Sequence, residues 1–107
     1  MDTTTMTNPS TGELISTDLE ITKAANLLKV LSHPIRLKII CQLGHEEKTV
    51  QQLIDSVGTT QSNVSQHLSI MREKKVLQFR KNATQVFYKV SEKTAIDLVQ
   101  LLKQIYC

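Results

Sequence analysis

Apolar residues recur at helical spacing from Leu19 onward: Leu19, Ile21, Ala24, Ala25, Leu27, Leu28 and Leu31 form a broad stripe, with Asp18 placed to cap it. Ser32-His33-Pro34 ends this helix and opens a second, because proline's fixed φ suits a first turn and its missing N–H costs nothing there. The second helix carries Ile35, Leu37, Ile39, Ile40, Cys41 and Leu43 and stops at Gly44; a polar connection runs from His45 to Lys48. Thr49 then caps a short helix, Val50 to Val57, with Leu53, Ile54 and Val57 as its buried stripe. Gly58 stops it and Thr59 or Thr60 caps the next. That fourth helix, Gln61 to Lys74, buries Val64, Leu68 and Met71.

After Lys75 the apolar period falls to two. Leu77 and Phe79, then Val86, Tyr88 and Val90, alternate with polar residues and give two strands joined by Arg80-Lys81-Asn82-Ala83-Thr84. Ser91 or Glu92 opens a last helix whose apolar positions are Ile96, Leu98, Val99, Leu101, Leu102 and Ile105. That stripe is wider than one small core uses, and with the first helix it predicts a homodimer interface.

The outer face of the fourth helix is unusual for a surface helix. Gln61, Ser62, Ser65, Gln66 and Ser69 are uncharged and rich in hydrogen-bond donors and acceptors. A short helix, a glycine-containing turn and a second helix with such a face is the arrangement that sets a recognition helix in the major groove. Amide side chains pair with adenine edges, and short hydroxyls reach bases or phosphates. Thr60, Asn63 and His67 flank this face and complete the candidate DNA contacts on the helix. Arg80 and Lys81 tip the following hairpin, the position from which a wing tracks phosphates or enters a narrow minor groove. The bland alternative is a helical hairpin with a soluble polar face, although Glu and Lys would make that face more cheaply. The expected fold is mainly α, a winged helix-turn-helix in the order α-α-α-α-β-β-α, homodimeric. Residues 18–107 form the DNA-binding and dimerisation domain. Residues 1–17, rich in Thr, Ser, Asn and Gly, form a flexible N-terminal arm.

Composition narrows the field. A chain of 107 residues with 40% hydrophobic content builds one domain around one modest core. The net charge is +3 and unevenly spread: between Arg72 and Lys93 seven basic residues face only Glu73 and Glu92. Before Lys23 the charged side chains are all acids, Asp2, Glu13, Asp18 and Glu20. Such asymmetry draws phosphates to one side, or is simply the solvated face of a basic protein. The apolar stretches fall far short of the ~20 residues that span a bilayer, so no membrane partner is expected. The N-terminus lacks a basic start and an apolar segment, which predicts a cytoplasmic protein. Two cysteines in that compartment are reduced thiols or a redox device, not a structural framework.

The strings LLKVLSHPIRLKIICQL, QQLIDSVGTTQSNVSQHLSIMREKKVLQFRK and VFYKVS resemble the ArsR/SmtB family of winged-helix repressors, over about Leu19 to Tyr106. The resemblance implies five helices and a β-hairpin, a homodimer through the first and last helices, an inverted-repeat operator in double-stranded DNA, and repression relieved by an inducer. The family's metal sites are not carried over. Where many members have a Cys-x-Cys pair in the third helix, this chain has Thr49 and Gln51. Where others bind zinc across the last helix, it has Ser91, Lys93, Gln104 and Cys107. Zinc takes imidazole, thiolate or carboxylate ligands, so no metal and no cofactor is expected.

Cys41 and Cys107 fall where the dithiol, persulfide-sensing branch of the family has its pair, in the settings Ile40-Cys41 and Tyr106-Cys107. That resemblance implies a redox-sensing role, with small sulfur species as inducer and a disulfide or polysulfide bridge as the released state. Other readings stand beside it. Cys41 shares a helical stripe with Leu37 and suits an inert core thiol, and Cys107 suits an untethered terminal residue whose carboxylate disfavours the thiolate. A metal- or oxidant-responsive repressor using the same cysteines is the alternative function. Of the histidines, His33 caps or donates locally, His45 is solvated, and His67 either touches a phosphate or bonds within the domain. A thiol oxidoreductase would bring a C-x-x-C pair on a βαβ frame, and the chain has neither. With no nucleophile–base pair, glycine-rich phosphate loop or carboxylate dyad, an enzyme is not expected. A winged helix that binds only proteins is a further class.

Overall fold

Thr17, one residue earlier than expected, caps the first helix. The computed structural model describes residues 17–106, and the arm expected over residues 1–17 lies, apart from Thr17, outside the described residues. The Thr17 hydroxyl accepts from the Glu20 amide at 3.1 Å, and the Glu20 carboxylate accepts from the Thr17 amide at 3.1 Å. This reciprocal capping box makes Asp18 the first residue inside α1 (Asp18–Leu31) rather than its cap. α2 (Pro34–Leu43) opens with His33 Nδ1 accepting the Ile35 amide at 3.1 Å and with Pro34 in the first turn. It ends at Gly44, whose φ is 53°.

A strand missing from the expected order comes next. β1 (Lys48–Thr49) pairs antiparallel with the second strand of the hairpin, Lys48 opposite Tyr88 and Thr49 opposite Phe87. Thr49 is therefore both a strand residue and a cap: its hydroxyl accepts the Gln52 amide at the start of α3 (Val50–Val57). Gly58 takes the left-handed conformation that closes α3, with φ 84°. Thr60 then caps α4 (Gln61–Glu73) by accepting the Asn63 amide at 3.1 Å. Thr59 serves instead as acceptor for the Asn63 side-chain amide.

β2 (Leu77–Asn82) and β3 (Gln85–Val90) form the hairpin, and the sheet order is β1-β3-β2. Asn82 pairs with Gln85, so the turn is only Ala83-Thr84, with Ala83 at φ 57°. Arg80 and Lys81 consequently stand on β2, opposite Phe87 and Val86, not at the tip. The strand pattern departs from alternation at one place: Phe79 is 43% exposed. α5 (Lys93–Tyr106) closes the chain.

The core lies where α2, α3 and α4 meet beneath the sheet, with Ile39, Ile40, Leu43, Leu53, Val64, Leu68 and Met71 essentially without solvent contact. Burying such side chains stabilises by ~1.5–3 kcal/mol each before the cost of ordering them. Ala95, Ile96 and Val99 of α5 complete it, and α2 packs against α5. The inner face of α4 is thus pinned at Val64, Leu68 and Met71, which forces Gln61, Ser62, Ser65, Gln66 and Ser69 to face outward. None of the helices among the described residues is long and apolar enough to cross a membrane.

Candidate functional site

The outward face of α4 is exposed at Gln61, Ser62, Asn63, Ser65 and Gln66. The side chains of Gln61, Ser62, Ser65 and Gln66 have no hydrogen-bond partner among the described residues. Asn63 differs, since its amide group is spent on Thr59 Oγ1 at 3.1 Å, and Thr60 is spent on the cap. The face is therefore divided. The Thr60 cap and the Thr59–Asn63 contact hold its start, and the side chains of Gln61, Ser62, Ser65 and Gln66 are free to bond to something else.

His67 lies at the edge of that face, half-buried, and is committed inside the domain. Its Nδ1 accepts from Arg36 Nε at 3.2 Å, and its ring sits 4.2 Å from the His33 ring, tilted by 44°. An accepting Nδ1 places the ring proton on Nε2, so the histidine is neutral. Desolvation by burial, then the nearby His33 and Arg36, hold its pKa below the ordinary value. Arg36 also donates from Nη1 to the Val30 carbonyl at 3.1 Å. One guanidinium thus fastens the end of α1 and the middle of α4 to α2. Of the two sequence readings for His67, the bond within the domain is present.

The wing is held by a contact that the sequence did not disclose. Arg80 forms a two-pronged ion pair with Glu47, Nε to Oε2 at 2.8 Å and Nη2 to Oε1 at 2.9 Å, and its guanidinium lies 4.3 Å over the Phe87 ring. The paired guanidinium lowers the Glu47 pKa and Glu47 raises that of Arg80, in each case mainly through the hydrogen bond. Arg80 is thereby paired within the domain, with part of its charge already answered by Glu47. Lys81 is exposed and has no ion-pair partner among the described residues. At the base of the hairpin Arg72 lies 4.7 Å over Phe79, which accounts for an aromatic ring left open to solvent. Glu47 and Arg36 are contacts of the candidate site that sequence reasoning missed. Each acts across the fold, Glu47 from 33 positions away and Arg36 from 31.

Cys41 is exposed, which removes the inert core thiol as its description. It stands in the last turns of α2 while Ile39, Ile40 and Leu43 take the buried positions. Cys107 lies outside the described residues; its neighbour Tyr106 is 81% exposed at the end of α5. Among the described residues no group of three or more His, Cys, Asp and Glu side chains converges as a metal site. Thr49 and Gln51 are occupied structurally, one as a cap and the other in a 3.0 Å hydrogen bond to Asp55.

The chain is similar to known proteins across nearly all of this architecture. Residues 33–76, from the start of α2 through the end of α4, match the family described as "Bacterial regulatory protein, arsR family". The biofilm growth-associated repressor of Xylella fastidiosa is 41% identical over 85 residues, covering 79% of this chain and 75% of that protein. The transcriptional activator HlyU of Vibrio cholerae is 36% identical, covering 79% of each. The crystal structure of the transcriptional repressor BigR from Xylella fastidiosa superposes with a TM-score of 0.79 at 39% identity, covering 84% of this chain and 92% of that one. These relatives are named as regulators of transcription rather than as enzymes. With a winged helix, an outward polar face on its fourth helix and matches of this extent, the chain belongs to the ArsR family of bacterial regulatory proteins.

Proposed function

We propose that this chain is a cytoplasmic transcriptional repressor that binds an inverted-repeat operator as a homodimer and leaves it when Cys41 and Cys107 are bridged by reactive sulfur. The observation that carries the DNA reading is the set of four exposed, unpartnered side chains on α4: Gln61, Ser62, Ser65 and Gln66. Donors and acceptors that the fold leaves unused, on a helix rigidly backed by Val64, Leu68 and Met71, are what base edges require. Lys81 supplies phosphate attraction from the wing, while Arg80 is held by Glu47 and aims the strand. The dimer is supported by large apolar side chains left in solvent on the terminal helices: Ile21 and Leu28 on α1, Leu101 and Ile105 on α5. A two-fold dimer is what a palindromic site requires.

The release step is simple exchange chemistry. The Cys41 thiolate takes the outer sulfur of a small persulfide RSSH, and RS⁻ leaves. The Cys107 thiolate then attacks Cys41 Sγ, and hydrosulfide leaves as the disulfide forms. An exposed Cys41 admits the first step. The bridge ties α2 to the end of α5 and moves the two DNA-reading heads out of register. A penalty of ~2–3 kcal/mol already costs ten-fold or more in occupancy. The test uses an operator selected from a random duplex pool and glutathione persulfide. Wild type should leave the operator on treatment, whereas Cys41→Ser and Cys107→Ser should stay bound. Release of either single variant at the wild-type dose would reject the dithiol switch. Sedimentation should give a dimer at micromolar protein; a monomer there would reject the dimer.

A further inference from the structure

A cleft of about 790 Å³ opens between α1, the C-terminal end of α4 and the approach to α5, away from the face assigned to DNA. Its volume is in the range of small-molecule sites. Five cations surround it: Lys23 and Lys29 from α1, Arg36 from α2, and Lys74 and Lys75 just past α4. Glu92 is the carboxylate on the same rim. The floor is apolar, made by Leu27, Val30, Ile70 and Val76, of which Val30 and Val76 are buried.

Charge and partnering decide what would fit. Arg36 is already committed to His67 and the Val30 carbonyl. The four lysines are exposed, and none has an ion-pair or hydrogen-bond partner for its ammonium group among the described residues. Like charges gathered at one opening repel, and an anion placed among them relieves that repulsion. DNA is poorly placed to supply the anion. Lys74 follows the last turn of a 13-residue helix, ~12 Å along the axis from Gln66 and ~20 Å from Gln61, where the free polar side chains lie. A phosphate, besides, leaves the apolar floor uncovered. Lys23, Asn26, Leu27 and Val30 line the cleft at i, i+3, i+4 and i+7 of α1. Ile21 and Leu28, the exposed apolar residues assigned to the dimer, project from the opposite side of that helix.

We propose that this cleft is a binding site for a small amphipathic organic anion, a carboxylate on an apolar chain. The head group sits among Lys23, Lys29, Lys74 and Lys75, and the tail covers Leu27, Val30, Ile70 and Val76. The site is independent of the DNA and cysteine readings, because it uses none of their residues.

Decanoate titrated into the full chain, followed by calorimetry and by amide NMR shifts, tests this directly. The expected result is saturable binding with shifts centred on Leu27, Val30, Ile70 and Val76. Decanoate should bind at least about ten-fold more tightly than decanol, the neutral chain of the same length, and inorganic phosphate should leave these signals in place. Lys23→Gln with Lys74→Gln should weaken decanoate by about ten-fold at an unchanged melting temperature, and Lys29→Gln alone should weaken it by a smaller factor. Absence of saturation overturns the proposal, as does decanol binding equally well or phosphate moving the same signals. Shifts centred on Leu101 and Ile105 instead of the cleft overturn it too, and so does wild-type affinity in the double variant and Lys29→Gln.

Discussion

The outer face of α4 and the wing are the two surfaces proposed to meet DNA, yet the fold treats their polar groups in opposite ways. On α4 the core residues Val64, Leu68 and Met71 fix the helix from behind, and Gln61, Ser62, Ser65 and Gln66 are left without partners. On the wing the strongest cation, Arg80, is already paired with Glu47 and stacked on Phe87. Unpartnered amides and hydroxyls lose only water on meeting a base edge. A guanidinium already in a two-pronged pair has to break that pair first. On the proposed reading the two regions divide reading from aiming, with α4 assigned sequence discrimination and Arg80 chiefly holding the strand from which Lys81 would reach a phosphate.

Removing the free groups on α4 should produce the largest effect. Ser62→Ala combined with Gln66→Ala should cut the ratio of specific to random-duplex affinity by ten-fold or more, since each good base contact is worth ~1–3 kcal/mol. Melting should barely change, because neither side chain is buried or bonded within the domain. An unchanged affinity ratio would mean that another surface reads the bases. The same double change on the locked turn, Thr60→Ala with Asn63→Ala, should cost stability through the lost cap, ~0.5–2 kcal/mol.

The wing separates into two smaller effects. Lys81→Ala should weaken binding to all sequences alike and shallow the salt dependence by ~0.9 in slope, the signature of one phosphate contact. Arg80→Ala should alter that slope less. Its loss and that of Glu47→Gln should be strongly non-additive, because either change opens the same pair. Glu47→Gln carries the sharper sign: freeing the Arg80 charge should raise affinity for random duplex. If Arg80→Ala instead matches Lys81→Ala in slope and Glu47→Gln does nothing, Arg80 is an ordinary phosphate ligand and the contrast between the regions fails.

What could be read in the chain, and what could not, follows the range of each interaction. Helix ends are set by contacts three or four residues long, so Thr49, Gly58 and the Thr59-Thr60 pair announced α3 and α4, and the inward stripe of α4 followed from its period. β1 has two residues and exists only because Lys48 and Thr49 meet Tyr88 and Phe87, a pairing with no local signature. The hairpin turn hid for a different reason. Ala83 adopts a positive φ that glycine or asparagine would have advertised, so the loop looked longer and Arg80 and Lys81 appeared to sit at its tip. Periodicity placed Cys41 on an apolar stripe, but α2 buries Ile39, Ile40 and Leu43 and leaves the thiol outside. Glu47 with Arg80, and Arg36 with His67, join residues more than thirty positions apart, where composition is silent.

The smallest expected effect tests whether the edge of the reading face is tied to the body of the domain as firmly as its core. His67 accepts from Arg36 through Nδ1, and His33 faces it at 4.2 Å. Protonating Nδ1 destroys the acceptor and sets a cation against a guanidinium and a second imidazole. The native pKa accordingly lies below the ordinary 6.5, with desolvation the first cause and His33 and Arg36 following. For a histidine the sign is then determined. Above about pH 6.5 the ring is neutral in both states and the native bond is intact. As pH falls through that value the unfolded chain takes up a proton that the folded chain resists, so stability declines until the lower native pKa is reached and then levels off. Urea unfolding of wild type and His67→Gln at about pH 7.5 and about pH 5.5 measures this. Glutamine retains a carbonyl acceptor for Arg36 and does not titrate. The variant should lose less stability than wild type on acidification, with His33 and His45 common to both. Equal losses in the two proteins would show that α4 is held by Val64, Leu68 and Met71 alone and that Arg36 merely rests against His67.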